Sequence, residues 1–453
     1  MSDQYSHIVL GLGATGLSVV RYLCAQGVVP LVMDSRQIPP SAELLANTYP
    51  QVTLMKGDFD ADLLCQATQI IISPGIPLST PEIGQAIEAG VEVIGDVELF
   101  ARAIQDKPAC VIAITGSNGK TTVTTLVAEM TKAAGMTYAV GGNIGIPVLD
   151  LLMTPVDLYI LELSSFQLET THSLQCIAGT CLNIFEDHMD RYSSIEAYRQ
   201  VKLGLYAQSE RAFFNRDDKL TFANTCVQMN SFGLRQAEGN NWGLDEGYVV
   251  KGDTRIMPVS ELVLVGKHNQ ANVIAAMALA DVVGISHGAM KQVAREFSGV
   301  AHRCEVVNEV QGVLYINDSK ATNVGATLAA LEGLETHAGN VILIAGGDSK
   351  DADFSPLIGA LANVRALITL GKDGDRIGQL KADYYPVIGM KEAVLKAREI
   401  ATVGDIVLLS PACASLDMYV NFMARGDDFK AQVRQLVNHD GVGYTPLTEA
   451  QDA

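Results

Sequence analysis

The chain has 453 residues, 48% of them hydrophobic and 18% charged, enough apolar material for roughly three well-cored domains and too much for a largely disordered polymer. A formal net charge of -19 argues against a sequence-independent grip on nucleic acid, so an anionic small ligand would need locally placed cations or a metal. No basic leader precedes the first apolar run and no stretch approaches ~20 uninterrupted apolar residues. A cytoplasmic protein without a membrane span is therefore expected, its eight cysteines reduced because none forms a C-x-x-C pair.

The first strand-like run, Ile8 to Leu10, leads into Gly11-Leu12-Gly13-Ala14-Thr15-Gly16, a helix-like stretch to Gln26, and a second run from Val28 that ends at Asp34. This is a β-α-β opening. Gly11, Gly13 and Gly16 fit a dinucleotide fingerprint, with Asp34 where a ribose-binding acid would sit. The physics asks only for an anion at a helix N-terminus beside a carboxylate, which a nicotinamide cofactor or a UDP group satisfies equally. A plain βα turn without a ligand is the third alternative. The run Gln69 to Ile72 stops at Ser73-Pro74-Gly75-Ile76-Pro77, and the polar stretch Gln105 to Pro108 suggests a boundary between residues 95 and 108.

A buried-strand pattern, Cys110 to Ile114, runs into Thr115-Gly116-Ser117-Asn118-Gly119-Lys120-Thr121-Thr122 and then a helix-like stretch to Ala134. Backbone N–H groups between a strand and a helix can cradle phosphates, with Lys120 reaching the β- and γ-phosphates and Thr121 a Mg²⁺ ion. The loop is a compressed variant, since Ile114 stands where the usual first glycine would fall; a glycine turn with an exposed lysine is the bland alternative. Glu162 ends the run from Leu158, and His188 follows the Cys181 to Ile184 run; at neighbouring strand ends they can complete a Mg²⁺ shell. Taken singly, each reads as an ordinary loop or strand-end residue. Between about Asn215 and Arg255, short alternating runs around Trp242 suggest a small antiparallel patch. From His302 onward, apolar runs alternate with helix-length stretches, implying a parallel, helix-covered sheet, and the acidic tail after Thr445 offers little to bury.

Taken in order, TGSNGKTT, GGNIG (Gly141 to Gly145), ELSSFQLE (Glu162 to Glu169), NIFEDHMDRY (Asn183 to Tyr192), GKHNQAN (Gly266 to Asn272), AHR (Ala301 to Arg303) and NDSKATN (Asn317 to Asn323) resemble the Mur ligase family. The resemblance implies an α/β protein of three domains: a Rossmann-like UDP-binding domain (1–97), a central phosphate-loop ATP-binding domain (98–300), and a Rossmann-like C-terminal domain (301–453) that closes over ATP. GLGATGLS, SPGIP and ACASLDMYVNFMARGDDF resemble the member that adds D-glutamate to UDP-N-acetylmuramoyl-L-alanine through an acyl phosphate, in peptidoglycan synthesis.

The same resemblance assigns roles. Gly116 through Thr122, Asn272, Arg303 and Asp318 would hold ATP. Thr121, Glu162, His188 and Lys202, the last as a carbamate, would hold Mg²⁺, two ions in all. Thr15, Asp34, Ser35, Arg36, Ser73, Asn143, Ser164 and Gln167 would contact the UDP substrate. Thr322, Lys350, Ser415, Leu416 and Phe422 would form the D-glutamate site, while His302 and Lys320 would orient the γ-phosphate, a structural hydrogen-bond role being the alternative for His302. A monomer acting on small molecules is expected. Rival readings are a folate polyglutamate ligase, a nicotinamide-dependent oxidoreductase, which leaves Lys120, Glu162 and His188 unexplained, and a nucleotide-binding regulator without catalysis.

Overall fold

The computed structural model describes residues 6–224, 227–264, 266–334 and 339–439; the tail after Thr445 lies outside them. The first sheet has five parallel strands, β1 (His7–Leu10), β2 (Leu31–Asp34), β3 (Thr53–Lys56), β4 (Gln69–Ile72) and β5 (Glu92–Ile94), in the order β3-β2-β1-β4-β5. Ile8, Val9 and Leu10 are all buried because both faces are covered, which is why the run shows no alternation. Val9 pairs with Val32 on one side and Ile71 on the other, so the glycine turn after β1 and the Ser73 turn after β4 emerge side by side.

Residues 95–108 are largely helical. Asp96–Ile104 is a helix whose Val97, Phe100 and Ala101 are buried in one apolar cluster with Val9 and Val32 of the first sheet and Tyr159 and Leu161 of the second. Phe100 meets Tyr159 edge-on at 5.1 Å. The first two sheets thus share a continuous core.

The second sheet has six parallel strands, β6 (Cys110–Thr115), β7 (Tyr138–Gly142), β8 (Leu158–Glu162), β9 (Cys176–Cys181), β10 (Ser209–Asn215) and β11 (Gln228–Phe232), in the order β11-β10-β9-β6-β8-β7. β6 lies between β8 and β9, so the phosphate loop, Glu162 and the Cys181 end converge at one carboxyl edge, as ligand sites do in open α/β sheets. The helix Lys267–Val282 is buried along Val273 to Ala280 within the same core. The antiparallel patch comprises β12 (Trp242–Asp245), β13 (Tyr248–Lys251) and β14 (Thr254–Pro258). It is smaller than the alternation implies, because β11 joins β10 in parallel and extends the main sheet.

The third sheet contains β15 (Glu305–Val310), β16 (Val313–Asn317), β17 (Val341–Gly346), β18 (Val364–Leu370), β19 (Tyr384–Pro386) and β20 (Ile406–Leu409), ordered β15-β16-β20-β17-β18-β19. It is not wholly parallel: β15 runs antiparallel to β16. Only Gln311 and Gly312 connect them, both at positive φ, and a two-residue turn of that kind reverses the chain.

Candidate active site

The phosphate loop is shaped by what a side chain would strike. Gly116 has φ +145°, and a Cβ there would sit 3.1 Å from the Leu182 nitrogen; one on Gly119, at φ +82°, would lie 2.5 Å from Asn272 Oδ1. Lys120 opens the helix Lys120–Ala133, and its Nζ donates to the Gly116 and Ser117 carbonyls at 2.7 and 2.8 Å. Burial pushes its pKa down, against the pull of Glu162. The Thr121 hydroxyl donates to Glu162 at 2.7 Å, and the second Glu162 oxygen accepts from Asn143 at 2.7 Å. Lys202, buried on the helix Ile195–Ala207, sends Nζ to the Gly116 carbonyl at 3.0 Å. Burial, reinforced by the Lys120 charge, brings its pKa down to about 7. His188 sits at φ +58°, its ring 4.6 Å from Phe166; burial takes its pKa to about 4, leaving a neutral imidazole near pH 7.

The third sheet faces this edge. Lys350, at φ +51°, places Nζ 3.4 Å from Asp187 Oδ1 and 3.4 Å from His188 Nδ1. Burial alone would raise the Asp187 pKa, but the charge of Lys350, with that of Lys120, holds it below the usual value. Asn323 meets both Asn118 and Asp187 at 3.3 Å. Lys320 lies 4.2 Å over the Phe422 ring, its pKa lowered to about 7 by burial and by Arg303.

Two cavities result. One of about 330 Å³ gathers Lys120, Asn143, Glu162, Ser164, His188, Lys202, Thr322, Lys350, Ser415, Leu416 and Phe422. The other, about 350 Å³, is lined by Thr122, Asn272 and Asp318, among apolar residues including Leu182 and Leu264. Asp318 accepts from Ser410 Oγ at 2.8 Å, and burial raises its pKa to about 7. Asn118, Gly119, Arg303 and Lys320 line both cavities, so a ligand lying in one can present a group to the other.

Several of the expected residues already have partners within the protein. His302 lines neither cavity: its Nδ1 is 3.0 Å from Asn317 Nδ2 and its Nε2 is 3.8 Å from Asp427 on the helix Phe422–His439, contacts that suit the structural alternative. Gln167 is tied into a capping box with Ser164, its Oε1 accepting from the Ser164 N–H at 3.0 Å, which fixes the orientation of Ser164. Asp34 already accepts from the Leu12 N–H at 2.6 Å and from Arg36 at 2.5 and 2.8 Å. Burial opposes ionisation there, but these donors bring its pKa to about 2. It therefore braces the glycine turn and orients Arg36. Thr15 lies in the first turn of the helix Ala14–Ala25, Ser35 follows β2, and Ser73 Oγ donates to the Gly11 carbonyl at 3.2 Å. Sequence reasoning missed Asp187, Tyr198 and Asn323; Asp187 and Asn323 stand inside motifs already singled out, and Tyr198, 3.2 Å from Ser117 Oγ, lies one helical turn before Lys202.

Family models match three consecutive segments: a Mur ligase MurD-like N-terminal domain at residues 5–95, a Mur ligase middle domain at 114–280, and a Mur ligase glutamate ligase domain at 302–413. The chain is 63% identical to a UDP-N-acetylmuramoylalanine--D-glutamate ligase from Shewanella oneidensis, over 96% of this chain and 99% of the relative. It is 65% identical to the ligase of the same name from Shewanella violacea, over 96% and 97%. Among solved structures, a UDP-N-acetylmuramate-alanine ligase from Thermotoga maritima shares the three-domain fold, with TM-score 0.60 and 18% identity over 95% of this chain and all of that one.

Proposed function

The chain belongs to the Mur ligase family and is an ATP-dependent, amide-bond-forming ligase; we propose that it joins D-glutamate to UDP-N-acetylmuramoyl-L-alanine in peptidoglycan synthesis, as a cytoplasmic monomer. The observation that carries this reading is the pair of cavities meeting at Asn118, Gly119, Arg303 and Lys320. A nucleoside triphosphate in the Asn272 and Asp318 cavity would present its γ-phosphate where a carboxylate and an amine can meet in the other.

In this reading residues 1–97 hold the UDP end through Thr15, Ser35, Arg36 and Ser73, with Asp34 behind them. Residues 98–300 hold ATP on Gly116 to Thr122 and Asn272. Residues 301–453 complete the site with Arg303, Asp318 and Lys320, and bind D-glutamate through Thr322, Lys350, Ser415, Leu416 and Phe422. Asn143 and Ser164 guide the sugar and alanyl group toward the reacting end.

The donors suit Mg²⁺. Thr121 and Glu162 supply hard oxygens, and His188 is neutral. Among the described residues no three His, Cys, Asp or Glu side chains converge into a metal cage, which fits an ion that takes much of its shell from substrate phosphates. Mg²⁺ bound there, as two ions, would offset phosphoryl charge. Lys202 fits conversion to a carbamate, because burial leaves a large share of it as free amine near pH 7, the form that adds carbon dioxide; the product would turn a repelling cation into an oxygen donor.

The alanyl carboxylate attacks the γ-phosphorus of ATP, ADP leaves, and an acyl phosphate forms, with Lys120 and Arg303 placed to balance the charge on the transferring group. The neutral amine of D-glutamate then attacks the acyl carbon and expels phosphate. Asn323 and Lys350, reaching across to Asn118 and Asp187, hold the cleft closed against water, which would hydrolyse the intermediate. The test is ADP release with D-glutamate, L-glutamate and meso-diaminopimelate in parallel: turnover dependent on the UDP acceptor and confined to D-glutamate is expected, and equal turnover with another amino acid would refute the assignment.

A further inference from the structure

The first two sheets are joined on opposite sides of their shared core. On one side Ser18 and Arg21, from the helix Ala14–Ala25, both donate to Asp150 Oδ1, at 2.9 and 2.5 Å. On the other, beside the reaction cavity, the hydrogen bonds between the two sheets' domains among the described residues come from one guanidinium, that of Arg191. Arg191 follows the turn at His188, its N–H donating to the His188 carbonyl at 2.9 Å. Its side chain is 12% exposed and pairs with Glu169, whose other oxygen accepts from Tyr192 at 2.5 Å. The guanidinium lies 4.2 Å over the Phe166 ring.

The same group then crosses to the N-terminal domain. Nη1 donates to the Pro74 carbonyl at 2.9 Å and Nη2 to the Ile76 carbonyl at 3.4 Å. Those carbonyls belong to a turn closed by the Ile76 N–H donating to Ser73, and Ser73 Oγ in turn donates to the Gly11 carbonyl. On its far side, Phe166 packs edge-on to His188, and both line the reaction cavity. One planar cation therefore links the glycine turn to the cavity wall through a contact on each side.

We propose that Arg191 is a positioning residue for the acceptor: its fork sets the separation between the turn that holds the nucleotide end and the cavity where the other end reacts. The inference rests on the proposed UDP-linked acceptor, because only a ligand long enough to touch both sites feels that separation. Misplacement on the order of 1 Å can cost about a hundredfold in rate. A lysine would keep the charge opposite Glu169 but could not hold two carbonyls and stack flat on Phe166.

The experiment compares wild type, Arg191→Met and Arg191→Lys on two acceptors, UDP-N-acetylmuramoyl-L-alanine and the same muramoyl-alanine 1-phosphate without the uridine monophosphate portion. Arg191→Met should lose at least tenfold in kcat/KM for the UDP acceptor, mainly through KM. Its KM for ATP and D-glutamate and its kcat/KM for the short acceptor should stay within twofold of wild type. Arg191→Lys should fall between, and it carries the comparison if the Met variant does not fold. Equal fractional losses on both acceptors, or no loss on the long one, would overturn the role of Arg191. A wild-type enzyme that cannot use the UDP acceptor at all would instead overturn the functional reading on which it rests.

Discussion

Arg303 donates to the Thr121 hydroxyl at 2.5 Å, although 182 positions separate them in the chain. The same hydroxyl donates to Glu162, so a half-buried cation from the third domain reaches the Thr121 end of the phosphate loop. Arg303→Ala should raise the KM for ATP and lower kcat together, while acceptor binding measured by calorimetry without ATP stays within about twofold of wild type. A variant with unchanged ATP kinetics would leave the contact structural only.

Lys120→Ala should leave acceptor binding nearly intact and cut kcat by roughly 10²–10³, the usual cost of losing one charge-stabilising group. Steady-state ADP release and acceptor titration separate the two effects. An unchanged kcat would remove Lys120 from the reaction.

For Lys350 the expected effect is selective. A charge-assisted bond is worth about 1.5–3 kcal/mol, so Lys350→Ala should raise the D-glutamate KM by about tenfold or more and the ATP KM little. Equal rises in both would mean that its chief duty is to pair with Asp187 across the cleft.

Lys202→Ala should nearly abolish activity, and acetate should restore part of it by supplying the missing carboxylate oxygens. Full activity without additive would show that Lys202 has no catalytic duty. A folded, inactive variant that acetate does not rescue would count against the carbamate.

Asp96, which lines neither cavity, supplies a pH test. It is buried, one carboxylate oxygen lacks a partner, and burial raises its pKa from 3.8 to about 6. A raised folded-state pKa favours the folded protein below the unfolded value, and that contribution is lost as pH rises through about 6. Asp96→Asn should therefore be more stable than wild type above pH 6, by up to about 3 kcal/mol, with the advantage shrinking toward pH 4. Urea melts at pH 5 and pH 7.5 measure the difference; an equal difference at both would exclude ionisation of Asp96 as its source.

Local pattern by itself was enough to mark the strands that carry the site, because Ile8 to Leu10, Cys110 to Ile114 and Leu158 to Leu163 are apolar runs ending in residues a core cannot use. Glycines at the phosphate loop were legible for the same reason: strand, turn and helix succeed one another within about a dozen residues. What side chains do at the end of those elements was decided elsewhere in the chain. His302 turns toward Asn317 and Asp427, and Asp34 gives its oxygens to Leu12 and Arg36, partners that only the folded chain brings to them. Lys350 reaches Asp187 from 163 residues away, and Arg191 finds Pro74 across 117. Such contacts depend on how three separately wound sheets dock, and docking is set by buried surface summed over many distant residues, which no short stretch of sequence encodes.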